Sequence, residues 1–84
     1  MFGISRATVE RLRQEYPIVC RVELVQMDDV QAPPIGTKGT VRGVDDIGSI
    51  MVAWDNGCGL SVAYGADVCR RIYENGSIDL TKNQ

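Results

Sequence analysis

Residues 36–59 read GTKGTVRGVDDIGSIMVAWDNGCG, and this pattern leaves few folds open to the chain. Two β-prone runs, 39–44 and 49–54, are separated by Asp45, Asp46, Ile47 and Gly48, and Asp55-Asn56-Gly57 closes the far end. In the second run Ile50, Val52 and Trp54 alternate with Ser49, Met51 and Ala53, the period of a strand with one buried face. Asn56-Gly57 predicts a type I′ turn, because Asn tolerates and Gly freely adopts the positive φ that both central positions need. The reading is a meander of three strands: strand, acidic turn, strand, Asn-Gly turn, strand.

The flanks fit around that centre. Residues 5–16 (SRATVERLRQEY) predict the one convincing helix, with Ser5 as N-cap and Pro17 as the stop. Val9, Leu12 and Tyr16 make a narrow apolar stripe, and Arg6/Glu10 and Arg11/Glu15 are spaced as ion pairs. So short a helix is marginal alone, so the stripe must dock, either on its own chain or on a second copy in a weak homodimer. Residues 18–27 predict the first strand, with Val22 and Leu24 on one face and a bulge where Val25 and Met27 break the alternation. Residues 28–36 are a long loop, since Ala32-Pro33-Pro34 cannot join a central ladder. Residues 60–64 and 69–73 predict the last strands, the latter with Ile72 facing in, joined by a tight helical turn at Gly65-Ala66-Asp67. Asn75-Gly76 offers one more turn in the tail. The fold class is mainly β: a small SH3-like five-stranded barrel over residues 18–74, preceded by a helical segment 1–17 and followed by a tail 75–84. Gly39, Gly43, Gly48 and Gly57 sit where a barrel's short strands bend.

Composition narrows the function. A chain of 84 residues has a core too small for a deep substrate cavity. Net charge is −2, far from the clustered basic surface that captures nucleic acid. No apolar run reaches the roughly 20 residues of a membrane span, and MFGISRATVE is not a secretory signal, so a cytoplasmic location is expected. Cys20, Cys58 and Cys69 lack C-x-x-C spacing and read as free thiols, with Cys58 exposed in its turn. Histidine is absent, which removes the commonest general base and the usual partner of cysteine at zinc. No G-x-S-x-G, phosphate loop or nucleophile–base pair stands out, so no catalytic residue, metal or cofactor is expected.

The segments RVELVQMDD, APPIGTKGTV, GVDDIGSIMVAWDNG and YGADVCRRI, spanning residues 21–72, resemble a family of small bacterial domains of unknown function found in phages, conjugative elements and other mobile DNA. A weaker similarity, through G-T-V and V-x-W-D-x-G, runs to SH3-like modules of eukaryotic ubiquitin ligases. The resemblance implies an SH3-like barrel and a mobile-element setting, and it carries over no catalytic residue. Members of the resembling family often have Gly-Thr where this chain has Val19-Cys20, so the start of the first strand is expected to differ.

Three candidate surfaces follow. Met27, Pro33, Pro34, Met51, Trp54 and Tyr64 form the candidate protein-binding patch, although Trp54 also has the phase of a core residue. Lys38, Arg42, Arg70 and Arg71 are the alternative, a phosphate-contacting face. Val9, Leu12 and Tyr16 are the candidate oligomerisation stripe. Asp28-Asp29 and Asp45-Asp46 lack the spacing of a cation loop, and Asp28 and Asp45 are expected to accept local backbone N–H groups. The function these features favour is a non-enzymatic module that binds a host protein, in one version an inhibitor of a bacterial immune nuclease.

Overall fold

The computed structural model describes residues 4–73. Helix α1 (Arg6–Glu15) starts where Ser5 Oγ accepts the Thr8 N–H, and it ends as Tyr16 turns out of helical geometry before Pro17. Strands β1 (Arg21–Gln26), β2 (Lys38–Val44), β3 (Ser49–Trp54), β4 (Val62–Ala63) and β5 (Val68–Ile72) form an antiparallel sheet in the order β4-β3-β2-β1-β5. The meander is as the sequence pattern dictates, and the expected bulge in β1 falls between Leu24 and Gln26. A second bulge, between Val41 and Gly43, throws Arg42 out of the β2–β3 register.

The sheet is not closed into a barrel. No ladder joins β4 to β5, so the outer strands remain two edges. β4 is the reason: residues 60–64 alternate like a full strand, yet only Val62 and Ala63 pair. Trp54 Nε1 donates to the Leu60 carbonyl at 2.8 Å, which takes from the ladder the acceptor a longer strand would use. α1 lies over the open side instead. Val9 and Leu12 are buried in one cluster with Val22, Leu24, Val41, Ile50, Val52, Trp54 and Val62, so the helix docks on its own chain. The expected oligomerisation stripe is therefore core, with only Tyr16 partly exposed. In place of the expected pairs along the helix, Arg13 donates twice to the Val44 carbonyl and once to Asp46, tying α1 to the end of β2.

The turns refine the sequence reading. Asp45 Oδ1 accepts from Ile47 N–H at 3.1 Å and Ser49 N–H at 2.8 Å, so this carboxylate builds the acidic turn. In the other acidic pair it is Asp29, not Asp28, that plays this part, accepting from Gln31 N–H at 2.7 Å. At Asp55-Asn56-Gly57 only Gly57 has positive φ, at 92°, so the turn is not type I′; Asn56 contributes its side chain, which accepts the Cys58 N–H. Residues 63–67 make a hydrogen-bonded turn closed by Ala66 and Asp67 N–H groups on the Ala63 carbonyl. In β5 the core position is Cys69; Ile72 pairs with Arg21 and shares its outward face rather than facing in. The Asn75-Gly76 turn lies outside the described residues.

Candidate functional site

The six residues of the candidate binding patch do not form one surface. Trp54 is 3% exposed and hydrogen-bonded within the core. Pro33 is buried as well, and Met27 packs against the core cluster. Pro34, Met51 and Tyr64 remain exposed. Tyr64 borders a groove of about 300 Å³ with Leu12, Tyr16 and Val68, on the side where β4 and β5 fail to meet.

Met51 belongs to a surface that the alternation pattern did not predict. Its side chain lines a groove of about 370 Å³ with Arg13, Tyr16, Pro17, Ile18 and Val44. Ile18 and the residue after it in sequence, Val19, are 63% and 73% exposed. Val19 has φ 69°, the only positive value at a non-glycine among the described residues. A left-handed backbone at a β-branched residue costs about 1–2 kcal/mol. It is held by Val19 N–H on the Val41 carbonyl at 2.8 Å, with Val41 N–H returning to the Cys20 carbonyl at 2.9 Å. The helix stop at Pro17 and the start of β1 thus force the chain through a tight corner that leaves two branched apolar side chains in solvent.

The four candidate cations do not gather. Arg70 Nε donates to Glu23 Oε1 at 2.8 Å. Arg71 faces the opposite side of β5, where it donates to the Glu15 carbonyl at the end of α1 and stacks on Tyr73 at 4.9 Å. Lys38 and Arg42 lie exposed on β2, with Glu23 directly across from Lys38. The neighbouring Arg21 is a fork on Asp55, at 2.9 and 2.6 Å, and this holds the Asp55 carboxyl below the usual range. Carboxylates are thus interleaved with cations across this face.

The cysteines are free. Cys58 is half-buried rather than exposed, its Sγ 3.7 Å from the Gln31 carbonyl, where it joins the long loop to the Asn-Gly turn. Cys69 is buried, and desolvation, reinforced by Cys20 and Glu15, pushes its thiol up to about 11. Burial also raises Cys20, against the opposing pull of Arg71. Among the described residues no group of three Cys, Asp or Glu side chains could hold a metal ion, and no helix is long and apolar enough to cross a membrane.

These features define a small, mainly β domain of one helix and an open five-stranded antiparallel sheet. The chain belongs to the family described as domain of unknown function DUF4314, which matches residues 5–72. No curated protein and no solved structure matches it significantly.

Proposed function

We propose that the chain is a non-catalytic module that binds a host protein through the apolar corner around Ile18 and Val19. The observation that carries this reading is the strained, solvent-facing Val19 beside an exposed Ile18 at the mouth of a groove. Backbone strain that the fold retains while exposing apolar surface is a feature of interaction sites. The strand order β4-β3-β2-β1-β5 is consistent with an SH3-like meander whose last closure is missing. The mobile-element setting rests on the family resemblance. In that setting the finer reading is an inhibitor of a bacterial immune nuclease that works by steric blocking, since a net charge of −2 is too small for mimicry of nucleic acid.

The test is affinity capture from a bacterial lysate with the wild-type chain and with Ile18→Asp. A host protein retained by the first and lost with the second, at an unchanged thermal melt, is the expected result. Enrichment of nucleic acid in place of protein overturns the reading. Phosphate contact through Lys38, Arg42, Arg70 and Arg71 has less to stand on, because Arg70 is already paired and Arg71 points elsewhere. A gel-shift series at low salt should show no retardation.

A further inference from the structure

The gap between β4 and β5 has a chemical character of its own. β4 pairs over only Val62 and Ala63, and the turn that follows lends Tyr64, Gly65 and Asp67 to the groove of about 300 Å³ that opens there. Gly65 has φ 89° and an added Cβ would meet nothing within 4 Å, so the turn does not fill the space beside it. The floor is apolar, with Leu12, Ile50 and Val62 buried. Two aromatic rings border it, Tyr16 partly buried and Tyr64 52% exposed.

The charge on this lining is all of one sign. Glu15 and Asp67 are acidic, and no Lys or Arg stands among the described lining residues. The Glu15 carboxylate makes no ion pair or hydrogen bond among the described residues, since Arg71 reaches only the Glu15 main-chain carbonyl. Asp67 Oδ2 accepts the Ala63 N–H at 2.9 Å, which leaves Oδ1 without a partner among the described residues. Glu15 is also the last residue of α1, where the helix end carries partial negative charge and favours a cation. Its charge is felt inside the groove: burial is the main cause of the raised Tyr16 and Cys69 values, and Glu15 adds to it at both.

We infer that this groove takes an arginine side chain of the partner protein. Its aliphatic stem would lie on the apolar floor, with the guanidinium between Glu15, Asp67 and the Tyr64 ring. A guanidinium fits because its fork of donors can serve two carboxylates, its plane stacks on a tyrosine, and it leaves water more readily than an ammonium. An uncharged apolar side chain would fill the floor but leave both carboxylates unpaired beside it. A hard metal ion would lack oxygen ligands, since the rest of the floor is hydrocarbon. This inference rests on the protein-binding reading and adds to it the chemistry of a second contact; Tyr16 borders both grooves.

The experiment titrates n-butylguanidinium, and its neutral isostere n-butylurea, into the isotope-labelled full chain. Expected are saturable amide shifts at Tyr16, Tyr64, Gly65 and Val68 with the cation, and weaker binding of the urea. Glu15→Gln and Asp67→Asn, the latter keeping an acceptor for Ala63 N–H, should each weaken the cation about two- to fivefold at an unchanged thermal melt, the scale of one exposed ion pair. Absence of shifts at the groove, equal binding of the two probes, or full affinity in both variants overturns the inference. A dimeric mass by light scattering that is lost in Glu15→Gln would put an arginine of a second copy in the groove and overturns the assignment to a partner. A host protein captured by the wild-type chain should be retained less by the Glu15→Gln/Asp67→Asn double variant. Undiminished retention overturns the inference while leaving the protein-binding proposal standing.

Discussion

Val19 is where one residue's conformation and the molecule's surface chemistry meet. Its φ of 69° is glycine territory, and its side chain, 73% exposed, gains little burial in return. Val19→Gly should relieve about 1–2 kcal/mol of left-handed strain. Against that stands the extra chain entropy of glycine, about 0.5–1 kcal/mol. The net expectation is a modest rise in the urea midpoint together with weaker capture of the partner; a lowered midpoint would mean that no strain is stored there. Gly39 is the opposite case. A Cβ there would lie 2.5 Å from Val52 Cγ1 and 2.9 Å from the Ala53 carbonyl oxygen, with backbone on one side and core on the other. Gly39→Ala should therefore destabilise by about 1–3 kcal/mol, the usual cost of overpacking a core, as read by chemical denaturation. Neither demand shows in the sequence as such. The order of residues marks Gly39 as a place to bend, but the reason for glycine is how closely β3 crosses it.

At the scale of elements, the helix and the meander were legible because their signals are local. Ser5 caps, Pro17 stops, and Ile50, Val52 and Trp54 alternate within a single strand; each pattern needs only its neighbours in sequence. What α1 docks on was not legible, since a stripe of Val9, Leu12 and Tyr16 suits its own sheet or another chain equally well. In the structure Val9 and Leu12 are buried in the cluster with Val41 and Ile50, on the chain's own sheet. Leu12→Ala should then cost about 2–5 kcal/mol, as for a large-to-small change in a core. Light scattering on the same variant should give the wild-type mass; a mass that falls with the substitution would place the helix on a second chain instead. The short β4 escaped the pattern for a different reason. Leu60, Val62 and Tyr64 alternate as a strand should, and only the three-dimensional reach of the Trp54 indole to the Leu60 carbonyl shows why the pairing stops.

For the whole molecule, the interior under the end of α1 couples folding to pH. Cys69 lies buried beside Tyr16 and Cys20, with Glu15 on the helix and Arg71 on its own strand as the charges acting nearby. Its folded-state value is pushed up to about 11 from the ordinary 9.0, because burial penalises the thiolate. Burial likewise raises Cys20, and with the help of Cys69 and Glu15 it raises Tyr16 from 10.0. The sign follows from proton counts. Between pH 9.0 and about 11 the unfolded chain has released the Cys69 proton while the folded chain still holds it. The folded state then binds more protons, so stability falls as pH rises through that window and levels off for this group above it. Below pH 9.0 both states hold the proton and Cys69 contributes no slope. Asp55 acts at the other end of the scale: its value is lowered by Arg21, so its contribution is present at neutral pH and is lost as pH falls through the folded-state value. Urea midpoints measured from pH 7 to 11.5 should therefore be flat first and then descend. Cys69→Val should remove part of the descent whatever it does to the neutral-pH midpoint, because valine has no proton to release. Arg71→Gln separates burial from charge: loss of the nearby cation should leave the Cys69 part of the slope in place, since desolvation is its main cause. A descent that is identical in wild type and Cys69→Val would mean that this thiol already ionises freely in the folded chain, and that the space beneath the helix is open to water.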